Sequence, residues 1–148
     1  MDNIVERKKE YASYRLERAK EEYETAVILY DTGHYRAANN RAYYSIFHAM
    51  RSVLAFDGYD SKKHSGIIAV FRKDYIKNGI FDVSLSDIIG CASEIRNASD
   101  YDDMFIADKT ETAEQIQNAK IFLDEITSYV EKRLTEWNST GLSRNVFC

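Results

Sequence analysis

Apolar residues recur along the chain at steps of three and four, a spacing that predicts five helices and no strand. Between about Ile4 and Tyr30, the residues Leu16, Ala19, Tyr23, Ala26, Val27 and Tyr30 keep this spacing among Glu and Lys. Gly33 is placed to end that helix as a left-handed cap. The next helix, about Tyr35 to Phe56, carries two apolar rows. One is Ala38, Ala42, Ile46, Ala49, Val53 and Phe56; the other is Tyr43, Phe47, Met50 and Leu54. A helix with two such rows packs on more than one side, so it is expected to be central.

Gly58 and Asp60-Ser61 break the pattern, and a shorter helix from about His64 to Ile76 carries Ile67, Ile68, Phe71 and Tyr75. After Gly79 a fourth helix starts at about Ser84 or Ser86, with Leu85, Ile88, Ala92 and Ile95 on its seam, and runs into "EIRNASDYDDM", Glu94 to Met104. The last helix, about Lys109 to Trp137, opens on Asp108-x-x-Glu111, which reads as a capping box. The predicted architecture is therefore all-α: an up-and-down bundle of four main helices plus a short extra helix, in one domain over residues 1–137. Asn138 to Cys148 lacks periodicity and is expected to be a loose tail.

Composition agrees with this reading. The 148 residues include no proline and six glycines, which suits helices better than many strands and tight turns. Two cysteines, Cys91 and Cys148, have neither the number nor the spacing of a disulfide framework or a zinc site. No run of 18 uncharged apolar residues and no secretory signal is present, so a cytoplasmic location without membrane association is expected. A net charge of −4 argues against a general nucleic-acid coat. The charge is uneven, however: from His34 to Lys77 eight cations meet three aspartates, making that segment +5 and the remainder −9. Such asymmetry permits a local anion site on an acidic body.

Two features carry candidate chemistry. The central helix has a polar stripe formed by Arg41, Tyr44 or Ser45, His48, and Arg51 or Ser52, with groups able to bind a phosphate or stack on a base. Arg96 continues the apolar boundary of the fourth helix and is costly there unless paired; Asp100, one turn on, is the local partner. His34, His48 and His64 share no helical spacing and no Cys or carboxylate pattern completes a metal site, so neither metal nor cofactor is expected. His64 reads as a capping or core-edge residue.

Taken in order, "AANNRAYYSIFHAM", "HSGIIAVFRKDYI" and "SEIRNASDYDD" resemble the HEPN domain family over about Tyr11 to Trp137. The resemblance implies a helical homodimer in which the fourth-helix motifs of two subunits meet in a shared cleft. Many HEPN proteins are metal-independent ribonucleases of toxin–antitoxin or defence systems, with a motif of Arg, a polar residue, and His after four to six intervening positions. Arg96 and Asn97 match its first half. At the place of the histidine stands Tyr101, followed by Asp102 and Asp103.

Cleavage of RNA through its own 2′-hydroxyl needs a proton acceptor and a cation at the phosphorus. Arginine supplies the second, whereas a phenol is a poor base at neutral pH, and losing acid–base help costs about 10²–10⁴ in rate. The resemblance thus implies RNA or nucleotide binding at Arg96 and Asn97, and the residue pattern adds Arg41, Tyr44 and Arg51 of the polar stripe as candidate contacts, with Asp100 orienting Arg96. Any catalysis would fall to Arg96 with Tyr101 or His48, as a weak or degenerate endoribonuclease. The alternative is a non-catalytic module that docks a minimal nucleotidyltransferase, with Tyr101 as a candidate acceptor.

Overall fold

The computed structural model describes the backbone of residues 2–147 and the side chains of residues 3–136. The expected loose tail over Asn138 to Cys148 lies outside the residues described in full. The helices are α1 (Asp2–Asp31), α2 (Tyr35–Ala55), α3 (His64–Phe71), α4 (Ser84–Tyr101) and α5 (Lys109–Phe147). A single π-helical turn, Arg72–Ile76, extends α3, and no strand occurs among the described residues. The fold is the all-α bundle that the spacing of apolar residues predicts.

The α1–α2 reversal follows from Gly33, whose φ is +81°. The His34 amide donates to Leu29 O at 2.8 Å and the Gly33 amide to Tyr30 O at 3.0 Å, the paired bonds of a left-handed helix cap. Gly58 does the same after α2, with φ +70° and the Tyr59 amide on Leu54 O. At the start of α5, the Asp108 carboxylate accepts the Thr110 amide at 2.7 Å, the N-cap half of the expected capping box. No reciprocal bond from Glu111 occurs among the described residues.

Helix α2 packs against α1, α3, α4 and α5, the central position that its two apolar rows require. Every member of both rows is buried. On the α1 side the contact is made of small residues, Ala12, Ala19 and Ala26 facing Ala42 and Ala49, all essentially inaccessible. This closeness lets Ser45 donate to Ala19 O at 2.8 Å and Ser52 to Ala12 O at 2.6 Å. The polar stripe of α2 is therefore divided. Ser45, His48 and Ser52 are buried against α1, whereas Arg41, Tyr44 and Arg51 stay at the rim.

Two further arginines fix α4. Arg36 on α2 donates to Ser99 O and to Asp102 O at the end of α4, where carbonyls lack helical partners. Arg72 holds Ser86 near the helix's start, through Oγ at 3.0 Å and the carbonyl at 3.1 Å. Clamped at both ends, α4 presents Arg96 toward α2 and α3.

Candidate functional site

Arg96 lies in a cluster built from three helices. Its guanidinium carbon sits 4.9 Å from the ring centre of Tyr43 and 5.6 Å from that of Tyr44, both on α2. Its Nη1 is 3.3 Å from Nδ1 of His64 on α3, and its Nη2 is 3.5 Å from the Tyr44 hydroxyl. Asp100 approaches its Nε at 3.5 Å as an ion pair. The Arg96 side chain is 22% exposed, so the charge is partly withdrawn from water and held by ring faces, a carboxylate and a nitrogen lone pair.

These contacts favour one state of His64. Arginine only donates hydrogen bonds, so the Nδ1 that faces it must carry a lone pair and no proton. The Tyr43 hydroxyl lies 2.9 Å from the same nitrogen and, as a donor, would share its single lone pair with Arg96. Burial, then the charges of Arg96 and Arg51, hold the imidazole below its usual pKa. A neutral ring with a bare Nδ1 carries its proton on Nε2, leaving His64 a hydrogen-bond donor rather than a proton acceptor at that edge. Burial pushes the Tyr43 hydroxyl up, against the pull of Arg96. A lowered pKa makes His64 a weaker base than a free imidazole, and Tyr43 keeps its proton at neutral pH.

The rim residues extend the cluster. Arg41 bonds to Glu22 at 2.8 Å and to Asn40 at 2.6 Å, and its guanidinium carbon lies 5.1 Å from the Tyr44 ring centre. Tyr44 thus stands between two guanidinium groups. Arg51 grips Asp60 with two bonds, 3.0 and 2.7 Å, and lies over Phe47 at 5.7 Å. His64 stacks on the same Phe47 ring, with centroids 4.1 Å apart.

Two open grooves flank the cluster. One, of about 840 Å³, runs past Arg36, Asn40, Arg41, Ser99 and Asp100. The other, of about 510 Å³, is lined by Phe47, Arg51, Asp60, Ser61, Lys62 and His64. Both put donors and cations where an anion could lie.

Arg96, Arg41, Tyr44 and Asp100 are thus brought together, and Arg51 joins them through Phe47 and His64. Asn97 is exposed on the next position of α4. Tyr101 is 82% exposed at the end of α4, and no contact with Arg96 occurs among the described residues. His48 faces α1 instead, its Nδ1 3.4 Å from Arg15 Nη1. Burial and the surrounding Arg15, Arg18, Arg51 and Arg41 press its pKa down to about 4. Among the described residues no group of three His, Cys, Asp or Glu is placed to hold a metal, and no helix is long and apolar enough to cross a membrane.

Sequence reading left out His64 and Tyr43 as site residues. His64 is at the core's edge, as its position suggested, yet that edge is where Arg96 arrives. No helical spacing links residues 32 positions apart, and the one available sign was the "HSGII" segment among the words of the family resemblance.

A central helix of buried apolar rows, flanked by a clamped helix with an arginine on tyrosine faces, defines a class of small all-α domain with a polar cluster at the α2–α4 junction. The chain belongs to the HEPN domain family, whose model matches residues 12–132. It is 32% identical over 115 residues to "Putative toxin MJ0142" of Methanocaldococcus jannaschii, covering 78% of each chain. It is 33% identical over 122 residues to "Putative toxin MJ0605" of the same organism, covering 80% of this chain and 88% of that one. A UPF0332 protein of Thermotoga maritima is 28% identical over 84% of this chain and 94% of its own length. The family is therefore one with toxin-named members.

Proposed function

We propose that the chain acts as a homodimer that binds RNA or a nucleotide at the Arg96 cluster, in a cytoplasmic toxin–antitoxin or defence setting. The observation that carries this reading is the partly buried guanidinium of Arg96 on the faces of Tyr43 and Tyr44, beside His64 as a neutral donor. Such a group can receive a phosphate while the aromatic rings and the donors at the rim orient it. The weakened basicity of His64 and the retained proton of Tyr43 favour binding over rapid cleavage, so any endoribonuclease action is slow and metal-independent. Pairing of two copies is supported by Tyr101, Met104 and Ile106, which are 82, 84 and 85% exposed immediately after the cluster. Large apolar side chains grouped at one edge are characteristic of surfaces that another protein covers.

The test uses a mixed pool of short RNAs. Wild-type protein binds, Arg96→Ala loses about ten-fold or more in affinity, and EDTA changes nothing. Unchanged binding, dimerisation and toxicity in Arg96→Ala would overturn the reading. A second reading, a non-catalytic module docking a minimal nucleotidyltransferase, is favoured by the exposure of the Tyr101 side chain. It gains if the protein ignores RNA and acquires a nucleotide on co-expression with such an enzyme, in wild type and not in Tyr101→Phe.

A further inference from the structure

Beyond the Arg96 cluster, α1 and the end of α2 enclose a concavity of about 340 Å³, lined among others by Arg7, Lys8, Tyr11, Arg15, Arg51 and Tyr59. Its charges are one-sided. Among the described residues the one carboxylate on its wall, Asp60, has both oxygens engaged by Arg51 and also accepts the Ser61 amide. Arg7, Lys8 and Arg15 form no ion pair among the described residues. Arg15 leans instead on His48, a neutral ring, and on the face of Tyr14. Three cations outside any ion pair, beside a single carboxylate already held by Arg51, are a focus for an anion.

Two more observations give the anion a class. Tyr11, 58% exposed, and the half-buried Tyr59 line the same concavity, so the phosphate donors stand beside aromatic rings on which a base can stack. The concavity also adjoins the groove beside His64, the paired Arg51 and Asp60 lining both. A strand lying across Arg96 and His64 would meet Arg51 next and Arg15, Lys8 and Arg7 after it.

We propose that this concavity is a second phosphate-and-base site that carries single-stranded RNA onward from the Arg96 cluster. The inference rests on the RNA reading of that cluster and adds a direction and a length to the bound strand. A dinucleotide reaches only the cluster, and a longer strand engages both sites.

The experiment compares an unstructured 8-nucleotide RNA with a dinucleotide, over a range of salt concentrations. In Arg7→Ala/Arg15→Ala the 8-mer is expected to bind about ten-fold more weakly, with a salt slope shallower by about 1.4, two single-strand phosphate contacts. Dinucleotide binding stays at the wild-type level in that variant and falls in Arg96→Ala. Because Arg15 is half-buried, Arg7→Glu alone, at an exposed position, provides the same test without disturbing the packing. If both variants bind the 8-mer with wild-type affinity and slope while Arg96→Ala does not, the second site is wrong and the Arg96 reading stands. A wild-type protein that binds neither RNA overturns both. Loss of dinucleotide binding in the Arg7 variants would overturn the strand in favour of a closed nucleotide pocket.

Discussion

Arg96 Nη1 lies 3.3 Å from Nδ1 of His64, an obligate donor facing a ring nitrogen that must therefore be bare. This pair couples the fourth helix to the start of the third and decides what the site can offer a ligand. With the Tyr43 hydroxyl on the same nitrogen, His64 keeps its proton on Nε2.

The consequence is measurable by nitrogen-detected NMR. His64 should appear as the Nε2–H tautomer in the wild type and titrate below the usual histidine value. Replacing Arg96 by Met, which removes the charge and keeps bulk, should raise the titration midpoint and relax the tautomer. A midpoint unmoved by Arg96→Met would mean that the two side chains do not meet in solution.

His48 provides a stability test independent of any ligand. Its folded pKa, about 4, lies below the ordinary value near 6.5, so the unfolded chain binds a proton before the folded one does. Above about pH 6.5 the group is neutral in both states and has no effect. As pH falls toward 4, the folded state loses up to roughly 3 kcal/mol relative to the unfolded one. Urea melts between pH 7 and pH 4 should show this decline, and His48→Gln should flatten part of it. An equally steep decline in the variant would place its origin in the carboxylates instead.

Gly33→Ala isolates a backbone effect. A Cβ built at Gly33 meets no atom within 4 Å, but the φ of +81° is one that L residues rarely adopt. The substitution should cost about 1 kcal/mol, read as a lower urea midpoint with an unchanged slope. A loss several times larger would show that the α1–α2 reversal depends on more than this cap.

Much of the fold was legible because burial of apolar side chains repeats with the helix period. The two rows of α2 identified the central helix, and the glycine positions marked the reversals after α1 and α2. The polar stripe was read less well. Ser45 and Ser52 look like surface residues in a helical wheel, yet both donate to α1 carbonyls because alanines at the contact bring the helices close. Helix spacing reports which face a side chain occupies, not how near the next helix will come.

By itself the sequence determined the helices, the glycine cap of α1, the central place of α2 and the location of Arg96 at an apolar boundary, since each depends on residues within one or two turns. Only the tertiary structure decided what Arg96 touches. Tyr43, Tyr44 and His64 lie 32 to 53 positions away along the chain and are joined to it by the packing of three helices. Packing also set the ring state of His64 and left Arg7, Lys8 and Arg15 around one concavity. Proton placement and charge balance depend on distances in space, which no local pattern encodes.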